Sequence, residues 1–206
     1  MHLTRHRKAI LFVEHTLRPG DGVRSGFTQA NTLALLNFAY GSNMLSARIR
    51  QRVPGAQLVG IATLHGHALR WHKVAKDGSG KCDIVASEPG SVVHGVLYEI
   101  PSHEKQHLDR AEGLGFGYEE KDVLVECKTG MLKATAYVAT HVDESILPFT
   151  WYRALVIAGA VEHGLPMAYV NGLRAIEAKL DVDLQRHALH MALVTHRSPR
   201  RCPEFP

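Results

Sequence analysis

Leu33-Ala34-Leu35-Leu36-Asn37-Phe38-Ala39-Tyr40-Gly41-Ser42-Asn43-Met44 is the most informative stretch of this chain. An apolar run ends abruptly at Gly41-Ser42-Asn43. A short run closed by turn residues suits a buried strand. Met44–Arg52 follows with apolar residues at 44, 45 and 49, the spacing of a short helix, and Pro54-Gly55 ends it. The first unit is therefore strand, tight polar loop, helix.

Downstream, strand-like runs at Gln57–Leu64 and Ala68–Lys73 flank Gly66. Asp77-Gly78-Ser79-Gly80 is a turn. Lys81–Ser87 and Ser91–Ile100 follow, separated by Pro89-Gly90, and His94–Glu99 is rich in β-formers. Pro101–Gly113 carries Leu108 and Ala111 on one face, which predicts a short helix ending at Gly113 with Ser102 as its cap. Lys121–Lys128 and Leu132–Ala139, with Thr129-Gly130 between them, read as a hairpin. After Pro148 the period changes. Trp151–His163 has apolar residues at 151, 154, 155, 158 and 161, with Gly164 as the C′ glycine and Pro166 beyond it. Met167–Leu180 reads as a further helix. Short, hairpin-linked strands favour antiparallel pairing over parallel winding. The expectation is an α+β domain, a curled sheet or small barrel with helices packed on it.

The chain has 206 residues, one domain's worth, 45% of them hydrophobic and 21% charged. It is divided here into an extension at 1–32, a domain at 33–193 and a basic tail at 194–206. No apolar run is long enough to span a membrane, so no membrane partner is expected. The net charge of +4 sits mostly at the ends, in Arg5, Arg7 and Lys8 and in Arg197, Arg200 and Arg201. No aromatics are interleaved there, so the reading is solvated tails and no nucleic-acid partner. Cys82, Cys127 and Cys202 are scattered and form no CxxC, which argues against a disulfide framework or zinc ribbon and for a reducing, cytoplasmic compartment.

Gly78-Ser79-Gly80-Lys81 lacks the earlier glycine of a phosphate loop, since position 75 is Ala, and Cys82 stands where Ser or Thr is needed. It reads as a hairpin turn. Fourteen histidines include the close pairs His65/His67 and His187/His190, but no HExxH, so no metal site is expected. GxSxG is absent.

Two stretches carry chemistry. In Phe38–Met44 a strand ends and small polar residues precede a helix; consecutive backbone N–H groups there can cradle an anion. The ordinary reading is a plain strand-to-helix turn. In Leu108–Gly113, Glu112 sits at the end of a helix, where the dipole disfavours negative charge and burial would raise its pKa further. Such a carboxylate is a usable proton shuttle. The ordinary reading is a solvated helix-end side chain.

Taken together, Tyr40-Gly41-Ser42-Asn43-Met44 resembles the YGSN-Leu signature of the γ-glutamylcyclotransferase family, with Met44 for the usual Leu. Leu108-Asp109-x-x-Glu112-Gly113, Gly95-Val96-Leu97-Tyr98, Ala136-Tyr137-Val138 and Ile157–Pro166 resemble that family in the same order, over about residues 37 to 180. The resemblance implies a small mixed or antiparallel β-barrel with flanking helices. It implies an enzyme that cyclises the γ-glutamyl group of a γ-glutamyl-amino acid to 5-oxoproline and frees the amine, with no cofactor. Glu112 would be the general acid/base. Tyr40, Gly41, Ser42, Asn43 and Met44 would hold the glutamyl moiety, with Tyr118 and Tyr137 near the pocket. The partner is then a small γ-glutamyl substrate; a homodimer is the assembly considered. Rival substrates are γ-glutamylamines and γ-glutamyl-protected biosynthetic intermediates, and a rival role is a non-catalytic binding module.

Overall fold

The apolar run of the first unit is a strand, β1 (Ala34–Ala39), in the computed structural model, which describes residues 34–195. The extension at 1–32 and the basic residues of the tail lie outside the described residues. A single 3-10 turn (Ser42–Met44) and α1 (Ser46–Arg52) follow β1. The remaining elements are β2 (Gln57–His65), β3 (His67–Val74), β4 (Gly80–Ala86), β5 (Val92–Pro101), α2 (Lys105–Glu112), β6 (Tyr118–Cys127), β7 (Gly130–Ala139), α3 (Thr150–Glu162), α4 (Met167–Ala175) and α5 (Leu184–Thr195).

Five strands close into a barrel in the order β1-β5-β2-β6-β7. Neighbours are antiparallel except β1 and β7, which meet in parallel at Asn37 and Thr135. The Asn37 side-chain amide donates to the Thr135 carbonyl at 3.0 Å across that seam. β6 shows the period of two that a barrel wall requires: Val123 and Val125 are buried between exposed Asp122, Leu124 and Glu126. The expected barrel with flanking helices is borne out. β3 and β4 do not join it; they form a separate two-stranded hairpin around the Asp77–Gly80 turn.

Three local expectations need correction. Ser102 does not cap α2. β5 continues to Pro101, so the chain must first leave the sheet through a 3-10 turn, and Glu104 takes the cap position. The helix expected over Met167–Leu180 stops at Ala175. Ile176 is extended, and Lys179 exchanges backbone bonds with Pro148 and Thr150. α5 went unread. Leu184 and Leu189 on it are exposed, which blurs its apolar stripe, and its anchors are tertiary: His190 stacks on Trp151 at 4.0 Å and Arg186 pairs with Asp181.

The packing that matters for the site lies under the loop after β1. Gly159 of α3 lies so close to it that a Cβ there would meet the Leu45 nitrogen at 2.5 Å and the Met44 carbonyl carbon at 2.7 Å. Met44 is fully buried. Its carbonyl accepts bonds from the Tyr98 hydroxyl at 2.8 Å and from His163 Nε2 at 2.9 Å, so barrel and α3 both grip the loop from behind. α2 is anchored by Leu108, fully buried, a kind of contact worth about 2–5 kcal/mol against alanine. Gly113, in the left-handed conformation at φ 73°, then ends the helix just past Glu112.

Candidate active site

A cavity lies at the end of β1, lined by residues 37–43 and by Cys82, Glu112, Tyr118, Tyr137 and Tyr152. The structure thus brings Tyr40, Gly41, Ser42, Asn43, Glu112, Tyr118 and Tyr137 to one place. Met44 is the exception. Its amide donates to the Gly41 carbonyl at 3.0 Å, closing the 3-10 turn, and its side chain packs inward. The amides of Gly41, Ser42 and Asn43 have no backbone partner among the described residues. Ser42 and Asn43 are buried. Buried N–H groups are rarely left unpaired in folded proteins.

Glu112 reaches this loop from the end of α2. Asn43 Nδ2 donates to Glu112 Oε1 at 2.7 Å. Arg52, from the last turn of α1, pairs with the same oxygen and also donates to Asn43 Oδ1 at 2.8 Å. Arg52, Asn43 and Glu112 thus form a closed triangle. Both charged side chains are about five-sixths buried, with 16% and 15% exposure. Glu112 Oε2 has no partner among the described residues. The sequence reading weighed burial and the helix dipole at Glu112 and overlooked the cation.

The other titratable groups of the wall are held neutral. Burial, then Asp83, pushes Tyr40 well above the usual phenol range, and burial, then the neighbouring Tyr152 and Tyr40, does the same to Tyr118. Burial, then the Cys82 sulfur, does the same to Tyr152. Tyr137 is raised by burial and by its bond to Asp109, at 2.6 Å. Burial pushes the Cys82 thiol up to about 12. These hydroxyls serve as structural donors: Tyr40 to the Tyr137 carbonyl, Tyr118 to the Cys82 carbonyl at 2.7 Å. Among the described residues, Glu112 is the one carboxylate in the wall.

Four participants escaped the sequence reading. Asn37 was absorbed into an apolar run, although a polar residue inside a buried strand is a signal. Cys82 and Tyr152 carry no local motif; only folding brings them to the cavity. Arg52 was legible in principle, since Arg48 and Arg52 sit four apart on one face of the helix after the loop.

Fold and site together define a small α+β barrel protein with a cavity whose described lining holds one carboxylate. Residues 92–173 match the AIG2-like family. A human protein named gamma-glutamylcyclotransferase is 33% identical over 150 residues, covering 70% of this chain and 79% of the human one. Its bovine namesake is 32% identical over 150 residues, with the same coverage. A solved structure named gamma-glutamyl cyclotransferase superposes with a TM-score of 0.69 at 28% identity, covering 78% of this chain and 99% of that one. The chain belongs to the γ-glutamylcyclotransferase family, a family of enzymes. Among the described residues, no helix is long and apolar enough to cross a membrane.

Proposed function

We propose that this protein cyclises the γ-glutamyl group of a small γ-glutamyl compound to 5-oxoproline, with Glu112 as the proton carrier. The observation that supports this best is the asymmetry of Glu112: one oxygen is held by Arg52 and Asn43, and the other has no partner among the described residues, at a cavity also lined by Gly41, Ser42 and Asn43, whose amides have no backbone partner among them.

The substrate supplies its own nucleophile. Its α-amine attacks its own γ-carbonyl carbon, forming the ring C–N bond. The ammonium first gives one proton to solvent, and Glu112 takes a second from the ring nitrogen as the C–N bond forms. The tetrahedral centre then collapses, the bond to the leaving nitrogen breaks, and Glu112 returns the proton to that nitrogen. Atoms and charge balance without a redox or electrophilic cofactor. Holding the substrate folded exploits intramolecularity, where effective molarities reach about 10⁵–10⁸ M. A positioned acid/base adds about 10²–10⁴-fold. The amides of Gly41, Ser42 and Asn43 would orient the glutamyl carboxylate or meet charge developing on the carbonyl oxygen.

The test is Glu112→Gln, which keeps the shape and cannot carry the proton. 5-Oxoproline release from a panel of γ-glutamyl compounds, followed by mass spectrometry, is expected to fall by about 10²–10⁴-fold while circular dichroism stays unchanged. Parental turnover in the Gln variant would remove Glu112 from the mechanism.

A further inference from the structure

The helix that carries Glu112 has a shallow seat. Of the eight residues of α2, Leu108 alone is buried. Hydrophobic contact is non-directional, so Leu108 keeps α2 on the barrel but does little to fix how far the helix slides or turns there. The place of Glu112 along that surface has to come from hydrogen bonds, which are directional.

Two such contacts grip the Glu112 carboxylate itself, from Asn43 and Arg52. A third lies one turn earlier. Asp109, three residues before Glu112 and on the same side of the helix, accepts the Tyr137 hydroxyl on Oδ1 at 2.6 Å. Burial, then this bond, keeps Tyr137 protonated, so the phenol is the donor. Lys105, a further turn back, pairs with the same Asp109 oxygen and with Glu120 on β6, and lies 5.3 Å over the Tyr137 ring. The Asp109 carbonyl also accepts the Leu114 amide at 2.9 Å, which closes the helix end around Glu112.

Tyr137 belongs to the other half of the site as well. It is buried on β7 and lines the cavity. Its backbone carbonyl accepts the Tyr40 hydroxyl, and Tyr40 is the residue before Gly41. Contacts therefore run from the loop through Tyr40 to β7, and through the Tyr137 ring to Asp109 and α2. The two halves of the site are tied together through the barrel wall, apart from the direct bond between Asn43 and Glu112. Asp109 itself is outside the described cavity lining, so whatever it contributes to turnover it contributes through other residues.

We infer that Asp109 is a positioning residue for the cyclisation: through its bond to Tyr137 it fixes where α2 sits on the barrel and so aims Glu112 at the cavity. This rests on the cyclotransferase reading, and the experiment separates the two. The full-length protein is assayed for 5-oxoproline release from γ-glutamyl-alanine, or from γ-glutamyl-ethylamine if that is the better substrate. Asp109→Leu and Tyr137→Phe each remove the bond, and each is expected to lower kcat about tenfold with KM within about threefold of parent. Asp109→Asn keeps the Oδ1 acceptor and is expected to hold kcat within about threefold of parent. The double variant Asp109→Leu/Tyr137→Phe is expected to lose no more than about twice what either single variant loses, because both act through one bond. A Leu variant with parental kcat overturns the role of Asp109 and leaves cyclisation standing. So does an Asn variant as slow as the Leu variant, a loss carried by KM, or losses that multiply in the double variant. A parent that cyclises neither compound overturns the cyclotransferase reading and this inference with it. If the Leu variant does not fold, Tyr137→Phe, which removes a single oxygen, and Asp109→Asn decide: the first must lose kcat and the second must keep it.

Discussion

Glu112 and Asp181 are both sheltered carboxylates held by an arginine, and they differ in what is left over. Asp181 Oδ1 accepts from Arg186 Nη2 at 2.6 Å and the Asp183 amide at 3.0 Å. Its Oδ2 accepts from Arg186 Nε at 2.6 Å and Trp151 Nε1 at 2.8 Å. Every strong acceptor site is filled, and the carboxylate ties the start of α5 to α3. Arg186 foremost, aided by Asp183 and Trp151, holds its carboxyl far below the usual range. Glu112 has one oxygen filled and one without a partner among the described residues, beside a cavity. A saturated polar cluster is a staple; one with spare bonding capacity at a cavity is a place for chemistry.

Four measurements press on that contrast. The largest effect belongs to Glu112→Gln, with the rate loss given above and a melting temperature close to parent; a collapsed fold would make Glu112 a staple too. Next is Arg52→Met. Freed from the triangle, the carboxylate loses its fixed orientation, and kcat is expected to fall about tenfold with KM within about threefold. Unaltered steady-state kinetics would show that Arg52 has no positioning role. Asp181→Asn should do the reverse of the Glu112 change. Thermal denaturation is expected to shift down by about 5–10 °C while the rate holds; a lost rate at an unshifted melting temperature would break the contrast.

The smallest effect is a pH dependence. His72 donates to Asp83 at 3.0 Å and Glu144 at 2.7 Å. Burial draws its pKa down, but the bonds to Asp83 and Glu144 outweigh this and the net shift is upward. A raised folded pKa means stability that is complete below the unfolded value, about 6.5, and fades as pH climbs through the folded one. The melting advantage of the parent over His72→Gln is therefore expected to shrink by about 1–3 °C between pH 6 and pH 9. An advantage that grows with pH would reverse the assignment.

Much of the barrel was legible because its strands are short, separated by Gly- and Pro-containing turns, and alternate as Val123–Val125 do. The loop was legible because Gly41-Ser42-Asn43 interrupts an apolar run just before a helix. Glu112 was legible as a helix-end carboxylate followed by glycine. What escaped depends on contacts between distant segments. Ser102 looks like a cap only if β5 is not known to run to Pro101. Leu180 continues a helical pattern until Lys179 is seen bonded to Pro148 and Thr150. Of the fourteen histidines, His72, His163 and His190 turn out to be structural, each held by residues far away in the chain.

Composition and periodicity by themselves determined the order of the elements as far as α4 and the turn after β1, since these are written in spacings of a few residues; the family came from the resemblance of the motifs themselves. The tertiary structure alone decided that β1 and β7 meet in parallel to close the barrel, that Met44 points inward while its neighbours face the cavity, and that Arg52 rather than solvent meets Glu112. Each of these depends on which distant surfaces touch, and charge, burial and spare hydrogen bonds are properties of those contacts rather than of any stretch of sequence.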